Sequence, residues 1–320
     1  MLKYLTVFVV LTIVGIFYDK YKLKNQKQDN LKNYDIVRRY LLNETAFTGG
    51  KPIIWVHIDY EINSRNWLSF GSRNSKQLNQ PYLYVTIQSI INQCGNDFNV
   101  CLIDDDSFTK LLPGWNINIP QLANPVKTHM RSLALSKILY YYGGVLVPNS
   151  YVALENLQTI YDIGMKNKSC FVVETIDRGN TATYVEYFPN HKFIGCSKQC
   201  KIMKQFMLYL EHLNSTDYTN EADFLGQANR WCYEQVLSNK MNMIDGKLIG
   251  CKTENNKPIY IDNLLQSSYI DFDKNLQGIY IPSNEILRRI KYQWFARLSP
   301  EQLYNANIIL SKYLLLTNEI

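Results

Sequence analysis

The stretch "ILYYYGGVLVPNSYV", residues 138–152, decides how the chain is folded. An aromatic helix end meets a double glycine, Gly143 and Gly144, then a short apolar run, Val145 to Val147, which stops at Pro148, Asn149 and Ser150. Paired glycines end a helix and allow a sharp backbone turn. A bounded apolar run reads as a buried strand. A helix that feeds into a buried strand is the joint of an α/β sheet, whose strand ends face a ligand crevice. Here that end delivers an amide and a hydroxyl and no charge.

Working outward, "VKTHMRSLALSKILYYY" (126–142) places Met130, Leu133, Ala134, Ile138, Leu139 and Tyr142 on one broad helical face. Upstream, "PIIWVHID" (52–59) reads as a first buried strand and "QPYLYVTIQSIINQCG" (80–95) as a helix started by Pro81 and stopped by Gly95. "FNVCLI" (98–103) is a second strand; Asp104, Asp105 and Asp106 follow it, with Ser107 placed to cap a short helix that Pro113-Gly114 ends. Downstream, "CFVVET" (170–175), "HKFIG" (191–195), "PIYID" (258–262) and "GIYIP" (278–282) read as strands, and 201–213 and 224–237 as helices. Ser299, Pro300 and Gln302 form a capping box that opens the final helix. The order predicts an α/β fold: a Rossmann-type mixed sheet flanked by helices, parallel at least in its first half.

With 320 residues and 46% hydrophobic content the chain can bury a large core. Its 34 basic against 28 acidic residues give a mild +6, and no basic cluster is interleaved with aromatics outside the amino-terminal stem, so no nucleic acid partner is expected. Residues 4–18 carry no charge and would span about 22 Å as a helix, against a hydrocarbon core of roughly 30 Å that Leu2 and a snorkelling Lys3 help to reach. No small-residue cleavage site follows. The expected organisation is a transmembrane anchor at 1–18, a polar stem with one amphipathic helix at 19–50 and a globular domain at 51–320. Lys20, Lys22, Lys24 and Lys27 outweigh Lys3, which predicts a single-pass membrane protein with its globular part in the cytosol. Seven cysteines without a paired framework agree with a reducing compartment. Sequons at Asn43, Asn167 and Asn214 point the other way, and glycans there would reverse the topology.

"ALSKILYYYGGVLVPNS" (134–150) resembles the helix, double glycine and strand of the family-32 and capsular-polysaccharide glycosyltransferases, which are GT-A enzymes. The resemblance implies a GT-A-like domain that transfers sugar from a nucleotide-sugar, with Mn2+ or Mg2+ held by an Asp-x-Asp after the glycines to neutralise the departing diphosphate. Aligned on Gly143 and Gly144, the two aspartates fall on Pro148 and Ser150, with Asn149 between; the helix aspartate falls on Ser132 and the helix arginine on Leu135. The framework is kept and every charged position is neutral. "QPYLYVTIQSIINQCG", "FNVCLIDDDSF" and "KYQWFARLS" also look like segments of uncharacterised proteins of nucleocytoplasmic large DNA viruses.

Several side chains carry two readings each. Asp104, Asp105 and Asp106 lie at a strand end, where they either hold the dication or cap the next helix. Arg131 shares a helix face with Leu135, so it either takes over from the lost arginine or sits at the surface. His57 and Asp59 end the first strand, where they either meet a nucleotide base or belong to the core. Asn149 and Ser150 are candidate ligand contacts at the third strand end. His191, Cys196 and Cys200 are close enough in sequence to suggest zinc but show no fourth ligand at a recognisable spacing. Tyr140, Tyr141, Tyr142 and Tyr151 would stack on a sugar or fill the core. Three functions follow: a membrane-anchored transferase with a nucleotide-sugar or glycan partner, a catalytically inactive structural or interaction module of transferase descent at a membrane, or an unrelated tether.

Overall fold

The computed structural model describes residues 50–59, 80–176, 186–216 and 221–317, leaving aside the side chains of 221–225 and 288. The apolar run 4–18, the stem up to residue 49 and the sequon at Asn43 lie outside these residues. Among the described residues no helix is long and apolar enough to cross a membrane.

A six-stranded sheet runs in the order β2-β1-β3-β6-β5-β7. Strand β1 (Ile53–His57) lies between β2 (Asn99–Ile103) and β3 (Gly144–Leu146), parallel to both, as the alternating pattern predicts. The second half turns mixed. Strand β6 (Tyr187–Cys196) is antiparallel to β3 and to β5 (Cys170–Ile176), and β7 (Asn242–Ile244) is parallel to β5. Strands β1, β2 and β3 are buried along nearly their whole length, which is why they read as continuous apolar runs and not as alternation. Directly after β3, β4 (Tyr151–Ala153) leaves the main sheet and pairs antiparallel with β8 (Gly278–Tyr280) in a separate two-stranded ribbon.

Helices α1 (Tyr82–Cys94), α2 (Ser107–Leu111) and α3 (Val126–Tyr142) connect the parallel strands, and α4 (Gln158–Met165) leads into β5. Helices α5 (Lys201–Ser215) and α6 (Glu221–Leu237) follow β6; α3 packs on α5 and α6 lies along β6. The segment 258–262, expected as a strand, forms one backbone bridge at Pro258 and then the short helix α7 (Ile261–Leu264), where the Asn263 side-chain oxygen accepts from the Tyr260 backbone N–H at 2.9 Å. After β8 come α8 (Ser283–Arg288), α9 (Gln293–Ala296), α10 (Pro300–Asn305) and α11 (Ile309–Leu316). The capping box at Ser299 and Gln302 forms, with Ser299 Oγ accepting from the Gln302 backbone amide at 3.2 Å, but it opens α10 and not the final described helix, α11.

The double glycine is a steric necessity. Gly143 and Gly144 hold φ of 73° and 98°. A Cβ on Gly144 would stand 2.2 Å from the carbonyl oxygen of Ile53, and one on Gly143 would stand 2.6 Å from the Lys198 amide nitrogen. Trp55 on β1 donates its indole N–H to the Gly143 carbonyl at 2.9 Å, which fixes where β3 enters the sheet.

Candidate functional site

The parallel strands β1 and β3 bring their carboxyl ends together at a crevice of about 270 Å³. Its walls come from His57 and Asp59 after β1, Leu146 to Ser150 after β3, Thr128 to Leu139 on α3, and His191 with Lys192 on β6. Tyr280 and residues Ser283 to Leu287 close the far side. The strand end at 148–150 therefore reaches the crevice expected of it.

A charged cluster forms the floor. Arg131 binds Asp105 in a bidentate fork, Nε to Oδ1 at 2.8 Å and a terminal nitrogen to Oδ2 at 2.6 Å, with Asp59 Oδ1 3.6 Å from its other terminal nitrogen. His57 donates from both ring nitrogens, Nδ1 to Asp59 at 2.7 Å and Nε2 to Asp105 at 3.1 Å, and its ring stacks on Phe108 at 5.3 Å. Burial alone would disfavour the imidazolium, yet the carboxylates of Asp59 and Asp105 hold His57 up at about 9. Burial works against the charge on Asp59 and Asp105 too, and their cationic neighbours, His57 first and then Arg131, keep both carboxyls below the usual range. The cluster combines residues 57, 59, 105 and 131 from three separate connections. Sequence reading named all four but did not pair them, since sheet order alone brings α3 over the β2 end.

The aspartate triplet splits three ways. Asp104 Oδ1 accepts from the Ser107 amide at 2.9 Å and from its hydroxyl at 2.6 Å, so Asp104, and not Ser107, caps α2. Asp105 turns to Arg131 and His57, and Asp106 is exposed. Consecutive residues entering a helix diverge by about 100° each, so three in a row do not converge on one ion. The triplet does not fit a bound Mn2+ or Mg2+, and among the described residues no group of three or more His, Cys, Asp or Glu side chains is placed to hold a metal.

At the third strand end, Asn149 donates from its side-chain amide to the His57 carbonyl at 3.2 Å, and Ser150 donates from its hydroxyl to the Ile281 carbonyl at 2.6 Å. Asn149 thus ties the chain after β3 to β1, and Ser150 ties it to the chain after β8. Tyr140, Tyr141, Tyr142 and Tyr151 do not line the crevice; Tyr142 donates to the Leu111 carbonyl and Tyr151 is fully buried beside Phe193. Tyr280 lines it instead. His191 parts from Cys196 and Cys200: five residues of strand, about 17 Å, separate it from Cys196, whose thiol faces the Leu139 carbonyl.

Fold and site define an α/β protein with a mixed six-stranded sheet and an ion-paired crevice at the carboxyl ends of two parallel strands. No family model matches the chain, and no curated protein matches it. Among solved structures the chain is similar to one titled "PaToxG Glycosyltransferase", with 12% identity over 65% of this chain and 79% of that one and a TM-score of 0.35. A likeness that thin carries neither fold nor activity across, so function rests on the site.

Proposed function

We propose that this chain is a glycosyltransferase-like protein that takes a nucleotide-sugar, or a related anionic glycosyl ligand, into the crevice without a metal clamp. The observation that carries the reading is the charge at the crevice floor. Among the described residues, the cations Arg131, protonated His57 and Lys192 outnumber the carboxylates of Asp59 and Asp105. A fixed cationic surplus in a half-enclosed site attracts a diphosphate, and it is what a chain would retain once Asn149 and Ser150 were committed to backbone bonds. Residues 4–18 would hold the protein in a membrane with the crevice on the cytosolic side.

Calorimetry on the full chain in detergent, with UDP-glucose and GDP-mannose in EDTA and in Mn2+, tests this. Binding is expected to be equal in the two conditions and to weaken about tenfold in Lys192→Ala, a half-buried side chain whose loss leaves the Arg131 fork intact. Binding that requires Mn2+ defeats the reading. The inactive module is the second reading, favoured by the divergence of Asp104, Asp105 and Asp106. Release of nucleoside diphosphate from a bound donor, abolished by Lys192→Ala, would rule it out.

A further inference from the structure

His191 sits on β6 in the wall of the crevice, buried, and has a hydrogen-bonding arrangement that determines its chemistry. The backbone N–H of His191 donates to the Asn229 side chain at 3.0 Å. A backbone N–H can only donate, so the Asn229 atom it meets is the amide oxygen. That same oxygen lies 2.6 Å from the His191 Nδ1. An amide oxygen can only accept, so Nδ1 must carry the proton, and Nε2 is left with a bare lone pair.

Among the described residues, Ser132 Oγ lies 3.5 Å from Nε2. Ser132 has one proton, and it is given to the Thr128 carbonyl at 3.1 Å, the ordinary back-bond of a serine inside a helix. A hydroxyl so engaged is a poor nucleophile and a poor donor to the histidine. Among the described residues Nε2 therefore has no good protein donor, on a side chain that lines the crevice. Phe206, also in the crevice wall, packs its ring edge toward the imidazole and holds the ring plane. Burial and the neighbouring Lys192 keep the ring neutral, down to about 4, even though its bond to Asn229 favours the charged form. This is the opposite state from His57 across the same crevice.

We propose that His191 Nε2 is the acceptor for a ligand hydroxyl, so that Asn229, His191 and the crevice wall select a polyol face on the bound molecule. The inference rests on the reading of the crevice as a glycosyl-ligand site and specifies which protein atom reads the sugar. The doubly esterified diphosphate of a nucleotide-sugar has no proton to offer this nitrogen at neutral pH, so the anionic part of the ligand lies toward Arg131 and Lys192 and its hydroxyls toward His191. Asn229 is a positioning residue: its oxygen meets His191 at the backbone N–H and at Nδ1, and sets the tautomer.

The chain has four histidines, so selective 15N labelling of histidine in the full chain in detergent gives a readable long-range 1H–15N spectrum. His191 is expected to show a protonated Nδ1 and an unprotonated Nε2 at pH 7. Titration with UDP-glucose should shift the Nε2 resonance upfield, as a nitrogen accepting a hydrogen bond does. His191→Phe, which keeps a ring and loses the acceptor, should weaken UDP-glucose about tenfold, and His191→Gln, whose side-chain oxygen can accept, should recover part of the loss. A protonated Nε2 or an imidazolium at pH 7 overturns the proposal. So does unaltered binding in His191→Phe with a stationary Nε2 resonance, an outcome that leaves the crevice reading standing. Failure of every nucleotide-sugar to bind the unmodified chain removes both.

Discussion

Two histidines a few ångströms from the same crevice are held in opposite charge states, and stability should record this. His57 is pushed up to about 9 by Asp59 and Asp105 against burial; His191 is pushed down to about 4, chiefly by burial. For His57 the folded chain holds a proton that the unfolded chain releases near 6.5, so its contribution is complete below pH 6.5 and drains away as pH rises through about 9. For His191 the unfolded chain takes up a proton that the folded chain refuses, so stability falls from pH 6.5 down to about 4. Each limb is worth on the order of 3 kcal/mol at most. Denaturant midpoints measured from pH 4 to 10 should therefore peak near pH 6.5, with His57→Gln flattening the alkaline limb and His191→Gln the acid one. A curve level from 6.5 to 9 would contradict the ion cluster. Residue types at 57, 59, 105 and 131 were open to reading; their pairing was not, because Asp105 and Arg131 are 26 positions apart and meet through sheet order.

At the scale of elements, the joint between α3 and β3 governs the crevice. Gly144 enters the sheet so close to β1 that its missing Cβ would lie on the Ile53 carbonyl, and Trp55 reaches across to the Gly143 carbonyl. Gly144→Ala combines a positive φ with a backbone clash that no rotamer relieves, and should cost at least about 3 kcal/mol, read as a lowered denaturation midpoint. Gly114→Ala also places alanine at positive φ but meets nothing nearby, and should cost about 1 kcal/mol. Equal losses at the two sites would mean that close approach to β1 is not what the double glycine serves. The helix-glycine-strand pattern was readable because steric demands of this kind restrict residue type. The conversion of 258–262 from expected strand to α7 was not readable, since a short apolar run has no period of its own and the bond from the Tyr260 N–H to the Asn263 side chain favours the helix.

Across the whole molecule, the largest buried side chains of the described residues, Trp55, Tyr151, Phe171 and Phe206 among them, lie within the globular part. The proposal that residues 4–18 are the anchor makes membrane association depend on that run alone. Deleting residues 2–18 is expected to move the protein from the membrane pellet to the supernatant while leaving its denaturation midpoint and its UDP-glucose affinity unchanged. A truncated chain that still sediments with membranes would place lipid contact on the globular part instead.

The order of the first three strands and their helices, the parallel first half of the sheet, the double-glycine joint and the absence of charge at the third strand end were determined by the amino-acid sequence itself, because periodicity and glycine sterics act over a few neighbouring residues. Tertiary structure alone decided that Asp104, Asp105 and Asp106 part company, that Asp105 meets Arg131 and His57, and that the Asn229 oxygen meets His191 Nδ1. Those facts depend on which strand lies beside which and on how the helices roll over them, and charge acts through space between groups that the chain keeps far apart in order.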